Sequence, residues 1–314
     1  MLAVLATIVP IFALIFVGWA ARRSGALGVH ATSEVNRFVV QLALPALLFD
    51  VVANADWHAL WQPGFIASFG LAAAAVFAAT VLWRGRQRPL ADAAIDGLNA
   101  AYANTGFMGF PLALAVLGPT TLAPTLIATL LTVCVLFAGA IVLVEASLQR
   151  EPRPWPLLRK VLRALVRNPL LVAPLLGGAW LASGLQLPAP AQAFFKLLGG
   201  AASPCALVAL GLFLAERRNP APGSGRTAVA LGSVKLLLQP ALTWWLASAV
   251  FALPPMQVHT AVLLAALPTG TGPFTLAEFH RREAGVTAAT VLGTTLASLL
   301  TLTLYLAWAL PAGA

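Results

Sequence analysis

Apolar runs about as long as a bilayer is thick alternate along the chain with short polar connections. The runs cover approximately residues 2–21, 37–54, 63–83, 93–117, 120–146, 168–184, 189–215, 227–251, 256–279 and 285–310. Roughly 20 apolar residues in helical form cross a ~30 Å hydrocarbon core, so the pattern predicts ten transmembrane helices. Two runs carry a defect at mid-depth. In the fourth, "NTGFMGFP" sets Asn104, Thr105, Gly106, Gly109 and Pro111 within an otherwise apolar stretch. In the ninth, "ALPTGTGPF" does the same with Pro268, Thr269, Gly270, Thr271, Gly272 and Pro273. Glycine weakens a helix interior and proline removes a backbone hydrogen bond that lipid cannot replace. Such a break persists only where protein buries it or where it lines a wet cavity.

The connections alternate in charge as regularly as the runs alternate in polarity. Those after odd-numbered runs hold Arg22 and Arg23, with Arg37 at the next helix start, then Arg84, Arg86 and Arg88, and then the six basic residues between Arg150 and Arg167. Arg217, Arg218 and Arg226 follow, and finally Arg281 and Arg282, which makes 17 of the 19 lysines and arginines. The other connections, "NADWHALWQ", "LGPTT", "GLQLPAPAQ" and "ALPPMQVH", hold none. Basic loops face the cytoplasm, which places both termini outside an inner cell membrane. The Arg- and Pro-rich stretch at 149–167 separates residues 1–148 from 168–314. With five spans in each half, the second half enters the membrane from the opposite face, as an inverted repeat requires. The halves also match in detail. Pro45 and Pro204 sit near mid-span in runs two and seven with Gln41 and Ser203 close by, and the broken runs are four and nine.

Composition narrows the class further. Hydrophobic residues make up 60% of the chain and charged ones 9%, where soluble domains carry roughly 25% charged residues. The chain therefore reads as an all-α integral membrane protein with no room for a soluble domain. The net charge of +9 comes from loops scattered between spans and forms no aromatic-interleaved patch, which argues against nucleic acid. Cys134 and Cys205 lie in apolar runs without a metal-type spacing. At the N-terminus the positive charges follow the apolar run, the reverse of a signal peptide, so the first run reads as a retained span.

Candidate chemistry gathers at the breaks. The half-helix beyond a break exposes unpaired N–H groups and partial positive charge, and the half before it exposes carbonyls. Two such helices crossing at mid-membrane bind a carboxylate without a formal cation. Asn104 and Thr269 hold similar places at the two breaks, with Thr105 and Thr271 beside them. The competing reading makes the glycines packing contacts and the prolines structural kinks. The paired occurrence favours a site.

Lys235, in "KLLLQP", lies about eight residues past the inner end of span eight, roughly 12 Å deep at helical rise. It either attracts an anion, supports the crossing through its carbonyls, or snorkels to the interface. Gln41, Asn99, Tyr102, Ser203 and Gln239 are further polar residues within spans, each able to bond freed backbone or face a substrate. Asp96 and Glu278 read as interfacial ion-pair partners. No mid-membrane carboxylate, metal set, nucleophile motif or phosphate loop is legible, so neither an enzyme nor a cofactor or metal is expected.

"NTGFMGFPLALAVLG", "RNPLL", "AASPCALVALGLFL", "KLLLQP" and "ALPTGTGPFTLAEF", in this order along essentially the whole chain, resemble the auxin efflux carrier family of secondary transporters in its bacterial branch. The resemblance implies ten spans in two inverted five-helix repeats, with helices four and nine crossing at the substrate site. Spans one, two, six and seven would form a scaffold against which spans three to five and eight to ten move in an elevator-like way. It implies an organic-anion substrate, auxin-like or a dicarboxylate such as malate or malonate, and it aligns Asn104, Pro268 and Thr269 with the family's crossover. The chain lacks the long central hydrophilic loop of many plant members. The expected partners are the lipid bilayer, a small organic anion and a second copy in a homodimer. An anion channel and a non-transporting receptor are the alternatives from other classes.

Overall fold

The structure, a computed structural model, describes residues 2–56, 60–148, 159, 163, 166–216, 224–282 and 284–309, with side chains from residue 9 onward. The expected basic linker at 149–167 lies outside the described residues except at 159, 163, 166 and 167. Among the described residues the chain is helical and forms no strand. In order come α1 (Leu2–Arg23), α2 (Ala31–Ala53), α3 (Pro63–Arg84), α4 (Leu90–Ala101), α5 (Thr105–Leu117) and α6 (Pro119–Leu148). They are followed by α7 (Pro169–Ala182), α8 (Ala189–Ala215), α9 (Ser224–Val250), α10 (Pro255–Ala265), α11 (Gly272–Phe279) and α12 (Gly285–Ala309). Six of them, α2, α3, α6, α8, α9 and α12, are long and apolar enough to cross a membrane, while α5 and α7 are shorter apolar helices. This is an all-helical integral membrane protein.

The fourth predicted run is two helices, α4 and α5, and the ninth is α10 and α11. The extended residues of the first break are Tyr102 to Asn104, slightly earlier than the glycines suggest. Thr105–Gly109 is coiled as a wide π turn. Similar turns occur at Val39–Ala43 and Val234–Leu238. These three stand just before a proline, Pro111, Pro45 and Pro240, whereas the wide turns at Leu131–Leu136 and Leu246–Val250 do not. A proline offers no N–H and crowds the carbonyl four residues back, and widening the preceding turn lets the helix continue past it.

The chain divides into two compact units. The first comprises Met1–Gln62, Gly106–Ile127 and Val166–Arg217. Here α1 packs along the second part of α8, and α7 along α2. Contact is backbone to backbone: a Cβ at Gly18 would collide with the Val208 carbonyl, and one at Gly211 with the Ile15 carbonyl. Lipid gives no hydrophobic drive to helix pairing, so close approach through small residues supplies the attraction instead.

The second unit comprises Pro63–Thr105, Ala128–Leu165 and Arg218–Ala314. Its core interleaves α3, α4, α6, α9 and α11 through Val76, Ile95, Leu98, Val144, Leu231 and Leu276. One end of the unit is tied by ion pairs. Asp96 accepts from Arg84 at 2.8 Å and Arg88 at 3.3 Å, His280 meets Glu145 at 3.2 Å, and Arg282 grips Asp92 through both carboxylate oxygens, with Nε 2.8 Å from Oδ1. These pairs gather the ends of α3, α6 and α11 around the start of α4. Asp96 thus takes the ion-pair role expected of it. Glu278 is exposed and forms no ion pair among the described residues.

Candidate functional site: a crossing of two broken helices

Within the second unit the two breaks run antiparallel and pair. Ala103 bridges Thr269, the Asn104 N–H donates to the Pro268 carbonyl at 2.9 Å, and the Gly270 N–H donates to the Tyr102 carbonyl at 3.0 Å. Each break satisfies backbone groups that the other lost. Unwound chain at membrane depth is tolerated only on such terms. Around this short pairing α4 and α10 end, and α5 and α11 begin.

The freed carbonyls are capped from behind by unbroken helices. Lys235 and Gln239 stand one turn apart on α9, the first inside its wide turn. The Lys235 ammonium donates to the Ala265 carbonyl at 2.6 Å, closing the end of α10. The Gln239 side-chain amide donates to the Ala101 carbonyl at 3.0 Å, closing the end of α4. Both side chains are fully buried, so Lys235 does not snorkel to the interface. The Thr269 hydroxyl donates to the Asn99 carbonyl at 2.7 Å, and the Thr269 N–H donates to the Thr294 hydroxyl at 3.1 Å. The Asn99 amide donates in turn to Thr287 at 3.0 Å. Four polar side chains on α9 and α12 therefore surround the crossing.

On the amino-terminal side the balance differs. Thr271 precedes α11 without a side-chain cap. Nδ2 of Asn104 and Oγ1 of Thr105 are buried and have no hydrogen-bond partner. An unmet buried polar group costs about 1–3 kcal/mol, so these two are poised for an acceptor. Oδ1 of Asn99 and Oε1 of Gln239 are also unpartnered, each on an amide whose nitrogen braces the crossing. The Tyr102 ring lies across the start of α11. A Cβ at Gly270 would come within 2.9 Å of its Cε1, and one at Gly272 within 2.7 Å of its Cζ. The two glycines give room to an aromatic ring as well as loosening the helix.

Of the residues expected from the sequence, Asn104, Thr105, Lys235, Pro268, Thr269, Gly270, Thr271 and Pro273 all fall in this unit. Gly106, Gly109 and Pro111 belong to the first unit, together with Gln41, Pro45, Ser203 and Pro204. There the turn bearing Gln41 packs on α8, which carries Ser203 and Pro204. Gln41 itself is exposed. Sequence reasoning gave Asn99, Tyr102 and Gln239 no definite role and missed Thr287 and Thr294. The missed signal is periodic: Thr287, Thr290, Thr294 and Ser298 recur every three or four residues along α12, all buried. Among the described residues no cluster of histidine, cysteine or acidic side chains could hold a metal ion.

Comparison with known proteins agrees with this picture. A family described as Membrane transport protein matches residues 3–306. A relative from Rhizobium meliloti, provisionally named a malonate transporter, is 33% identical over 97% of each chain. An uncharacterized transporter of Methanothermobacter thermautotrophicus is 25% identical over 95% of this chain and 96% of its own. Auxin efflux carrier component 3a of rice is 32% identical over 46% of this chain and 24% of the plant protein. Apolar helices of spanning length, two paired helix breaks and a family match across nearly the whole sequence make the chain a transporter and not an enzyme, and it belongs to the membrane transport protein family that includes the auxin efflux carriers.

Proposed function

We propose that the protein carries small organic anions, with dicarboxylates of malonate size as the leading class, across the inner membrane by alternating access. In this reading α4 with α5 and α10 with α11 are the fourth and ninth of ten spans arranged as two inverted five-helix repeats. Both termini lie outside, and spans three to five and eight to ten move against spans one, two, six and seven in an elevator-like manner. The observation that carries the proposal is the pairing of the breaks at Ala103 and Thr269. It holds two helix starts at one place, with the Asn104 amide and the Thr105 hydroxyl unpartnered beside them. Helix starts and unmet donors suit a carboxylate. The name of the Rhizobium meliloti relative supports malonate as the first substrate to try.

The test is counterflow of radiolabelled malonate in proteoliposomes. Saturable uptake, accelerated by malonate trapped inside and lost in Asn104→Ala, is the expected result. Current that does not saturate would indicate a channel, and absence of flux in the wild type would overturn the carrier reading.

A further inference from the structure

Helix ends carry partial charge, roughly +0.5 at the start and −0.5 at the finish. At this crossing two helices finish, at Ala101 and Ala265, and two begin, at Thr105 and Gly272. The four ends sum to about zero. Taken alone, the crossed breaks carry no net charge, and the fit they offer a carboxylate is local, through donors that point one way and acceptors the other.

Lys235 changes that sum. It is fully buried, and its ammonium is bonded to the Ala265 carbonyl, the negative end of α10. Gln239 performs the same capping at α4 with a neutral amide, so capping by itself does not require a charge. Nor is the lysine's charge cancelled elsewhere. Among the described acids of this unit, Asp92 is taken by Arg282 and Asp96 by Arg84 and Arg88, Glu145 lies against His280 at 3.2 Å, and Glu278 is exposed. No ion pair to Lys235 is present among the described residues. A buried charge without an acid is held by dipoles, and here by the carbonyl end of a helix.

We infer that Lys235 is the charge-selectivity residue of this carrier: by capping the carbonyl end of α10 with a basic group, it leaves the crossing, in its protonated form, with a net positive field that selects anions and favours dianions over monoanions. It does so from behind the crossing, as a positioning and field-setting residue. The inference rests on the carrier reading and assigns the source of its preference for anions.

Three ligands of nearly equal shape test it: malonate, its half-amide malonamate and the neutral diamide malonamide. Equilibrium binding to the purified protein is measured at neutral pH for the wild type, Lys235→Met and Lys235→Arg. One unit charge on the order of 10 Å away, at an effective dielectric of ~20, alters affinity roughly ten-fold for each charge on the ligand. The wild type should therefore bind malonate, malonamate and malonamide in falling order, about ten-fold per step. In Lys235→Met the malonate-to-malonamate ratio should fall roughly ten-fold, and Lys235→Arg should restore it. The ratio does not depend on the fraction of protein that is folded, so a merely structural lysine would leave it unmoved. An unchanged ratio in Lys235→Met overturns the inference. If that variant does not fold, equal binding of all three ligands by the wild type overturns it instead. Binding of none of them by the wild type removes the anion-carrier reading beneath it.

Discussion

Replacing Thr294 with valine separates hydrogen bonding from packing as the force that holds the crossing together. The Thr294 hydroxyl accepts from the Thr269 N–H at 3.1 Å, and Thr269 is fully buried. Valine keeps the branched shape but leaves that N–H with nothing to bond, which costs about 1–3 kcal/mol. Thr294 also donates to the Thr290 carbonyl one turn back, a weak local bond whose loss matters little. Two neighbours on α12 serve as controls. The Thr290 hydroxyl bonds only the Val286 carbonyl of its own helix, and the Thr301 hydroxyl is buried without a partner. Thr290→Val should be nearly neutral. Thr301→Val removes an unmet group and should be neutral or stabilising. Thermal midpoints are compared in one detergent, where 1 kcal/mol corresponds to about 2 °C for a chain of this order of size. Thr294→Val should therefore lose roughly 2–6 °C. Hydrogen exchange should quicken around residues 266–272 and not at the far end of α12. Equal losses at Thr294 and Thr301 would refute the hydrogen-bond argument and return the crossing to packing alone.

Gly272→Ala would place a methyl 2.7 Å from the Tyr102 ring. Malonate binding should fall, and a double-mutant cycle with Tyr102→Ala should give a coupling of about 1 kcal/mol or more, as expected for residues in contact. Asp96 and Asp92 should differ in their tolerance of change. Asp96 is 2% exposed between two arginines, so Asp96→Ala should cost about 3–5 kcal/mol and express poorly. Asp92→Asn breaks a more exposed pair and should cost about 1 kcal/mol or less, shrinking with added salt. Finally, a cysteine introduced into the 149–167 segment should resist a membrane-impermeant thiol reagent applied to intact cells. Prompt labelling would reverse the proposed orientation.

The breaks were legible because glycine, proline and asparagine in an apolar run conflict with the helical period around them. Their pairing in space was implied by their matching positions in the two halves. Which groups would hold the pairing was much less visible. Lys235 stood out as a charge in an apolar segment, but its partner is a backbone carbonyl, and any residue type offers one. Gln239 lies four positions on and looked like one polar residue among several. The threonines of α12 were overlooked because a threonine hydroxyl in a membrane helix bonds its own carbonyl four residues back, so nothing in the sequence marks the one that also accepts from a neighbour. The role of Gly270 and Gly272 was half read. Their freedom from a side chain was apparent, but the Tyr102 ring that occupies the space was not.

The partners of the crossing are asymmetric in a way that bears on transport. Its carbonyl ends are closed by side chains of the same unit: Lys235 at α10, Gln239 and Thr269 at α4. The start of α11 has no such cap, and Asn104 and Thr105 keep unmet donors at the start of α5. A crossing shaped only for stability would close both kinds of end, since open donors at membrane depth are expensive. Closing the helix carbonyls while leaving the Asn104 and Thr105 donors open places part of the cost where a ligand with lone pairs can relieve it, although the side-chain oxygens of Asn99 and Gln239 stay open as well. Relief of that kind favours the bound state and makes an empty site unfavourable to bury. A carrier built this way would cross the membrane more readily loaded than empty. Exchange of labelled for unlabelled malonate should then outrun net efflux into malonate-free buffer, and equal rates would show that the open donors have no part in the movement.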